Sequence, residues 1–237
     1  MKRYVVLDIE TTGTHPIRHE IIEIGAVFIE NNHEIKRFNQ LVCPKEAISS
    51  YITSITGINN ELVKDAPPIE EVMPQFIDFC EDVPLIGHNI ILFDYRMLKA
   101  QAVKLGYSFE KQGLDTLMIS RKMLSDLPSR KLGALCKYYG IDLEHAHRAY
   151  DDAYATYELF THLQKDFQEE AADLFKPEPM VWQMPKTEPM TQKQKSYLTS
   201  LCVKHHLELP QNIETLSKSE ASRMIDGIIS KYGKTIR

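Results

Sequence analysis

Tyr4-Val5-Val6-Leu7-Asp8-Ile9-Glu10-Thr11-Thr12-Gly13 is the stretch on which the reading of this chain turns. Tyr4 to Leu7 is a run of β-branched, aromatic and aliphatic residues of the kind that forms a buried strand. Side chains alternate faces along a strand, so Asp8 and Glu10 share one side while Ile9 points to the other. Two anionic groups held this close repel unless a proton or cation lies between them, and a divalent metal is the natural occupant. Thr11, Thr12 and Gly13 end the strand in a tight turn, where the glycine admits a close ligand or backbone. Taken alone, the same pattern also describes two solvated acids at a strand end, so the rest of the chain must decide.

Working outward, Ile21 to Glu30 reads as a second strand and Asn31-Asn32 as a turn. Glu34 to Val42 continues in extended form, so the first three strands make an antiparallel meander. Helical patterning follows in short pieces from Ile48 to Phe79, broken at Gly57 and at Pro67-Pro68. Val83 to Gly87 is a short buried strand, followed by His88-Asn89-Ile90-Ile91-Leu92-Phe93-Asp94 and a helix over Tyr95 to Leu105. Asp94 stands near that helix start, where an acidic residue suits the macrodipole whether or not it has another task. Leu114-Asp115-Thr116-Leu117 reads as an edge strand running into a helix, and Leu132 to Tyr139 as another helix, closed by Gly140. A further helix opens near His147 and continues through Leu163, with Asp152 inside it and small neighbours at Ala149, Ala153 and Thr156.

Length, charge and composition bound the possibilities. A chain of 237 residues allows one sizeable α/β domain with a small appendage. No apolar run approaches the roughly 20 residues of a membrane span. No apolar leader precedes Tyr4, and a cytoplasmic location is expected. Cys43, Cys80, Cys136 and Cys202 are far apart and read as reduced thiols. A formal net charge of -5 excludes bulk electrostatic coating of nucleic acid, but not an enzyme that grips a few nucleotides. From the prolines at 177, 179, 185 and 189 the expected organisation is a main domain over 1–167, a Pro-rich linker over 168–189 that holds the only tryptophan, Trp182, and a small helical domain over 190–237. In that last part Ser217-Lys218-Ser219-Glu220 has the form of a capping box.

Asp8, Glu10, Asp94 and Asp152 are thus four carboxylates at a strand end, a helix start and within a helix that packs on the sheet, and such ends are where α/β sheets gather their sites. Four such groups converging on one place require cations, and oxygen ligands suit magnesium or manganese. The ordered set resembles the DEDDh 3′ to 5′ exonucleases of the ribonuclease H-like superfamily, the group that includes the proofreading subunit of bacterial replicative DNA polymerase. Asp8-Ile9-Glu10-Thr11-Thr12-Gly13 matches the first family motif, His88-Asn89 with Phe93-Asp94 the second, and His147 with Asp152 five positions on the third. The likeness covers about Lys2 to Gln164. The sister group with tyrosine four positions before the last aspartate is a poorer match, because Arg148 stands there. Asp151 is at the wrong distance from His147 for the family pattern, so the resemblance implies Asp152 as the ligand. The His88 to Asp94 spacing is one residue longer than the commonest bacterial form, and Thr14 and His15 stand where many relatives have an apolar residue and a polar turn.

The resemblance implies an α/β fold with a mixed sheet, antiparallel meander plus parallel strands, flanked by helices. It implies two divalent cations, Mg2+ or Mn2+, held by Asp8, Glu10, Asp94 and Asp152. His147 would be the general base that takes a proton from the attacking water at neutral pH. Thr11, Thr12 and Asn89 would contact the terminal nucleotide. The expected reaction is hydrolysis at the 3′ end of single-stranded or frayed DNA, releasing nucleoside 5′-monophosphates in proofreading, repair or DNA processing, with a DNA polymerase or another replication or repair protein as partner. The same fold trimming RNA is the nearest alternative, and a catalytically silent binding or scaffold module is the alternative of another class.

Overall fold

The computed structural model describes residues 1–143, 147–184, 188–210 and 212–234. Pro185, counted above as a linker breaker, lies outside them. The opening apolar run is β1 (Arg3–Thr11), and its alternation is as the sequence requires: Val5, Leu7 and Ile9 enter one core while Tyr4 and Val6 enter the other, on the face that Asp8 and Glu10 continue. β2 (Ile21–Glu30) and β3 (His33–Leu41) complete the antiparallel meander. β4 (Leu85–Gly87) pairs with β1 in parallel, and β5 (Gln112–Asp115) pairs with β4 in parallel.

Helices cover both faces. On one side lie α3 (Ile69–Cys80), with Val72, Met73 and Phe76 buried, and α4 (Asp94–Lys104), with Met97 and Leu98 buried. They follow the short helices α1 (Ser50–Thr56) and α2 (Asn60–Val63). On the other side α5 (Thr116–Met123), α6 (Leu132–Tyr139) and α7 (Ala149–Phe167) pack Ile119, Leu135, Leu159 and Phe160 against Tyr4 and Val6. The fold is α/β, and among the described residues its one mixed sheet runs β3-β2-β1-β4-β5-β6.

Two expectations differ from the structure. Leu114-Asp115 is not on an edge, because β6 (Glu178–Pro179) pairs antiparallel with β5 outside it. Of the Pro-rich linker expected over 168–189, the part up to Met184 belongs to the first compact unit, Met1–Met184, with Phe175 and Met180 buried in its two cores. The prolines stop a helix there, but an outer strand of two residues accepts Pro179 without loss of a ladder bond. The second unit, Pro185–Arg237, has its own core of Leu198, Leu201, Cys202, Leu216 and Ile225. It contains α8 (Gln192–Lys204) and α9 (Lys218–Tyr232), each opened by a capping box, Thr191 with Gln194 and Ser217 with Glu220.

Candidate active site

β1 delivers Asp8 and Glu10 at its carboxyl end, beside a break in register between Glu10 and Thr11. Such irregularities re-aim side chains at strand ends. Opposite Asp8 on β2 is Gly25. A Cβ there would lie 2.1 Å from the carbonyl carbon of Ala149 and from the nitrogen of Tyr150. The bare glycine therefore lets the first turn of α7 settle directly on the sheet, and that turn brings Asp152 over the strand pair.

An ion pair between buried Glu23 and half-exposed Arg148 fixes the same turn. Glu23, directly across from Glu10, is 1% exposed. Its carboxylate accepts hydrogen bonds from Arg148 Nη2 at 2.6 Å, from Arg148 Nε at 3.2 Å, and from the Ala149 backbone N–H at 3.0 Å. His147, one residue earlier, adopts φ +69°, and its backbone N–H donates to Asp152 Oδ2 at 2.8 Å. That left-handed conformation turns the chain so that its exposed ring stands beside the carboxylates. Ligand atoms of Glu10, His147 and Asp152 all lie within 4.8 Å of one another.

Asp94 comes from the far side as the first residue of α4 and is 2% exposed. The loop before it is held by Asp115, whose carboxylate caps α5 through Leu117 N–H and accepts Asn89 N–H, both at 2.9 Å. Asn89 has φ +74°. His88 Nδ1 lies 2.9 Å from Thr116 Oγ1 and Nε2 lies 2.9 Å from Arg130 O. Burial lowers the His88 pKa, and because a carbonyl oxygen can only accept, Nε2–H donates to Arg130 O. Thr11 Oγ1 donates to Gly13 O at 2.8 Å, and Thr12 Oγ1 accepts Glu20 N–H at 2.9 Å. Both hydroxyls thus shape the turn.

Electrostatically the cluster is under strain. Burial, together with the charges of Asp94, Asp152, Glu10 and Glu23, raises Asp8 well above the usual carboxylate range. Glu10 is pushed up to about 8 by burial and then by Asp152, Glu23 and Asp94, against the pull of Arg148. Asp94 is pushed up to about 7 by burial, with Asp115 adding to it, and Asp152 to about 6 by burial, with His147 opposing. Asp94 Oδ1 is buried without a hydrogen-bond partner among the described residues. A divalent cation would satisfy both demands, since it supplies the missing partner and pays the repulsion of the carboxylates. This donor set, carboxylate oxygens with one imidazole, can hold such an ion.

Of the sequence-derived candidates, the structure thus gathers Glu10, Asp152 and His147 most tightly, and Asp8 and Asp94 are coupled to them by charge. Thr11, Thr12 and Asn89 lie on the two loops that border the group. The sequence reading passed over Glu23, which interrupts the apolar run Ile21-Ile22-Glu23-Ile24. A charge inside an otherwise buried strand was the available signal. Its partner Arg148 was considered only as a non-tyrosine.

An exonuclease family model matches residues 5–160. The PolC-type DNA polymerase III of Caldanaerobacter subterraneus subsp. tengcongensis is 46% identical over 166 residues, which are 70% of this chain and 12% of that protein. That of Thermotoga maritima is 39% identical over 158 residues, 66% of this chain and 11% of that protein. The chain spans about an eighth of the length of these curated relatives. Among solved structures, E. coli exonuclease I in complex with a dT13 oligonucleotide superposes with a TM-score of 0.65 at 22% identity, covering 73% of this chain and 43% of that one. Exonuclease X in complex with 5′ overhanging duplex DNA gives 0.59 at 24% identity, covering 73% and 99%. At these identities the superpositions establish a common fold.

Proposed function

The chain belongs to the exonuclease family, and we propose that it removes nucleoside 5′-monophosphates from the 3′ end of single-stranded or frayed DNA. The observation that carries this reading is the convergence of Glu10, Asp152 and His147 beside Asp8 and the orphaned Asp94 Oδ1. Asp8, Glu10, Asp94 and Asp152 would hold the divalent cations, Mg2+ or Mn2+. Bound there, such ions would supply Lewis-acid stabilisation of the attacking and leaving oxygens of an in-line displacement.

The protein's own groups do the rest. His147 accepts the proton of the attacking water at a ring nitrogen, and its backbone bond to Asp152 keeps that ring beside the reacting phosphate. Thr11 and Thr12 contact the terminal nucleotide from the turn that their hydroxyls shape. Asn89, held by Asp115, offers its carboxamide from the opposite loop. A duplex end must fray to enter, so unpaired termini react first. The PolC-type relatives support a setting in replication or repair, in the cytoplasm, with a polymerase as partner. No described helix is long and apolar enough to cross a membrane.

The test is a nuclease assay on 5′-labelled single strands of DNA and of RNA, with magnesium, for the native protein and for Asp8→Ala. A ladder shortening from the 3′ end on DNA, absent in the variant, is expected. Faster cleavage of RNA would move the substrate to that class, and no metal-dependent cleavage of either strand would refute the reading.

A further inference from the structure

A second concavity, of about 470 Å³, is lined in part by His88, Leu117, Arg121, Ser129, Arg130 and Lys131. No carboxylate lines it. Between Leu117 and Lys137 the chain carries Arg121, Lys122, Arg130, Lys131 and Lys137 against the single acid Asp126, within a protein whose net charge is -5. Arg121 and Lys131 are exposed, and neither has an ion-pair partner among the described residues. Arg130 is fixed by donating to the carbonyls of Leu124 and Ser125.

A basic stretch is often no more than a solvated face. Two features argue for more here. The cations line a hollow rather than a convex surface, and they are left without counter-ions, so that each raises the cost of the next until an anion arrives. The hollow also shares its frame with the candidate active site. β4 and β5 run parallel to β1, so His88 and α5 emerge at the sheet end where Asp8 and Glu10 lie. His88 donates to Arg130 O and is adjacent to Asn89, while Asp115 holds Asn89 N–H and caps the helix that bears Arg121.

We propose that this pocket binds internucleotide phosphates of the substrate strand upstream of its 3′ end. The proposal rests on the nuclease reading above. Planar guanidinium and flexible ammonium groups together suit phosphate oxygens. The pocket sets how tightly a long strand is held while the chemistry at its terminus is left unchanged.

The test uses the full chain with Arg121→Ala and Lys131→Ala combined. Arg130 is left in place because its bonds shape the loop, and thermal melting checks that the variant is folded. Two substrates separate the outcomes: a long single-stranded oligodeoxynucleotide, and the p-nitrophenyl ester of thymidine 5′-monophosphate, which has no upstream phosphate. On the long strand KM should rise about tenfold at nearly constant kcat, and the slope of log affinity against log salt should fall by about 0.7 per contact removed. Kinetics on the ester should match those of the native protein, and Arg121→Lys combined with Lys131→Arg should restore the long-strand KM. Fluorescence anisotropy of a labelled strand reports binding without turnover. Equal anisotropy curves for native protein and double alanine variant would overturn the pocket. Should the native protein hydrolyse neither substrate, the nuclease reading falls, and the anisotropy comparison still decides the pocket.

Discussion

Asp94 shows what the site demands of a single side chain: a carboxylate 2% exposed, one oxygen unpartnered, its pKa raised to about 7. In the unfolded chain such groups ionise near pH 4, whereas in the cation-free fold Asp152, Asp94 and Glu10 keep protons up to about 6, 7 and 8. Across that interval the folded state binds more protons than the unfolded one. Its stability is therefore greatest in mild acid and falls as pH rises through the folded values. In chelator, the melting temperature should drop between about pH 5 and pH 8, and Mg2+ or Mn2+ should raise it more at pH 8, where the ligands must otherwise repel. A larger metal-induced shift at pH 5 would contradict this account. Asp94→Asn should raise the chelated melting temperature at pH 8 while greatly reducing turnover, two opposite effects from one substitution. His147→Ala should leave melting nearly unchanged, because the ring is exposed, and lower kcat by about 10²–10⁴-fold, the usual worth of a general base. Asp8 and Glu10 were legible because strand alternation alone puts them on one face. The orphaned oxygen of Asp94 was not, since nothing local in Phe93-Asp94-Tyr95 distinguishes an ordinary acidic helix start from a buried carboxylate.

Secondary-structure elements meet the site through α7. Its first turn rests on Gly25 and is tied down by Glu23. Gly25→Ala would drive a methyl group into the backbone of Ala149 and Tyr150, so α7 must lift, and Asp152 with it. Loss of metal binding and of activity together is expected, measured by titration calorimetry and turnover. Glu23→Ala removes the partner of Arg148 and of Ala149 N–H. Arg148 is partly exposed and can rehydrate, so the cost should be about 1–3 kcal/mol by chemical denaturation, in the range for hydrogen bonds to charged groups. The helices and the meander could be read from apolar periodicity. The Glu23–Arg148 bond spans 125 positions, a separation that no window of sequence reveals. β6 was hidden for another reason: two residues beside prolines carry no strand periodicity, and only pairing with Gln112 and Gly113 makes them one.

For the chain as a whole, the boundary at Met184 predicts how truncation behaves. Ending the protein after Met184 should preserve the cooperative melting of the first unit. Ending it after Phe167, where the helical pattern stops, removes Phe175, Met180 and β6. Losing two buried side chains at about 1.5–3 kcal/mol each should cost roughly 3–6 kcal/mol. Equal denaturation midpoints for the two truncations would show that 168–184 contributes nothing. The break in composition after Phe167 was visible in the sequence; that the next residues return to the sheet was not, because two side chains in two different cores hold them.

The seat of α7 on Gly25 also orders events in time. Asp8 and Glu10 leave the ribosome before Asp152, which follows 142 positions after Glu10, a delay on the order of ten seconds at common translation rates. Until then the nascent chain has half a centre and nothing to close it. Contacts this distant in sequence form late in folding. The carboxylate cluster is thus complete only when α7 docks, so an unfinished or misfolded copy lacks it.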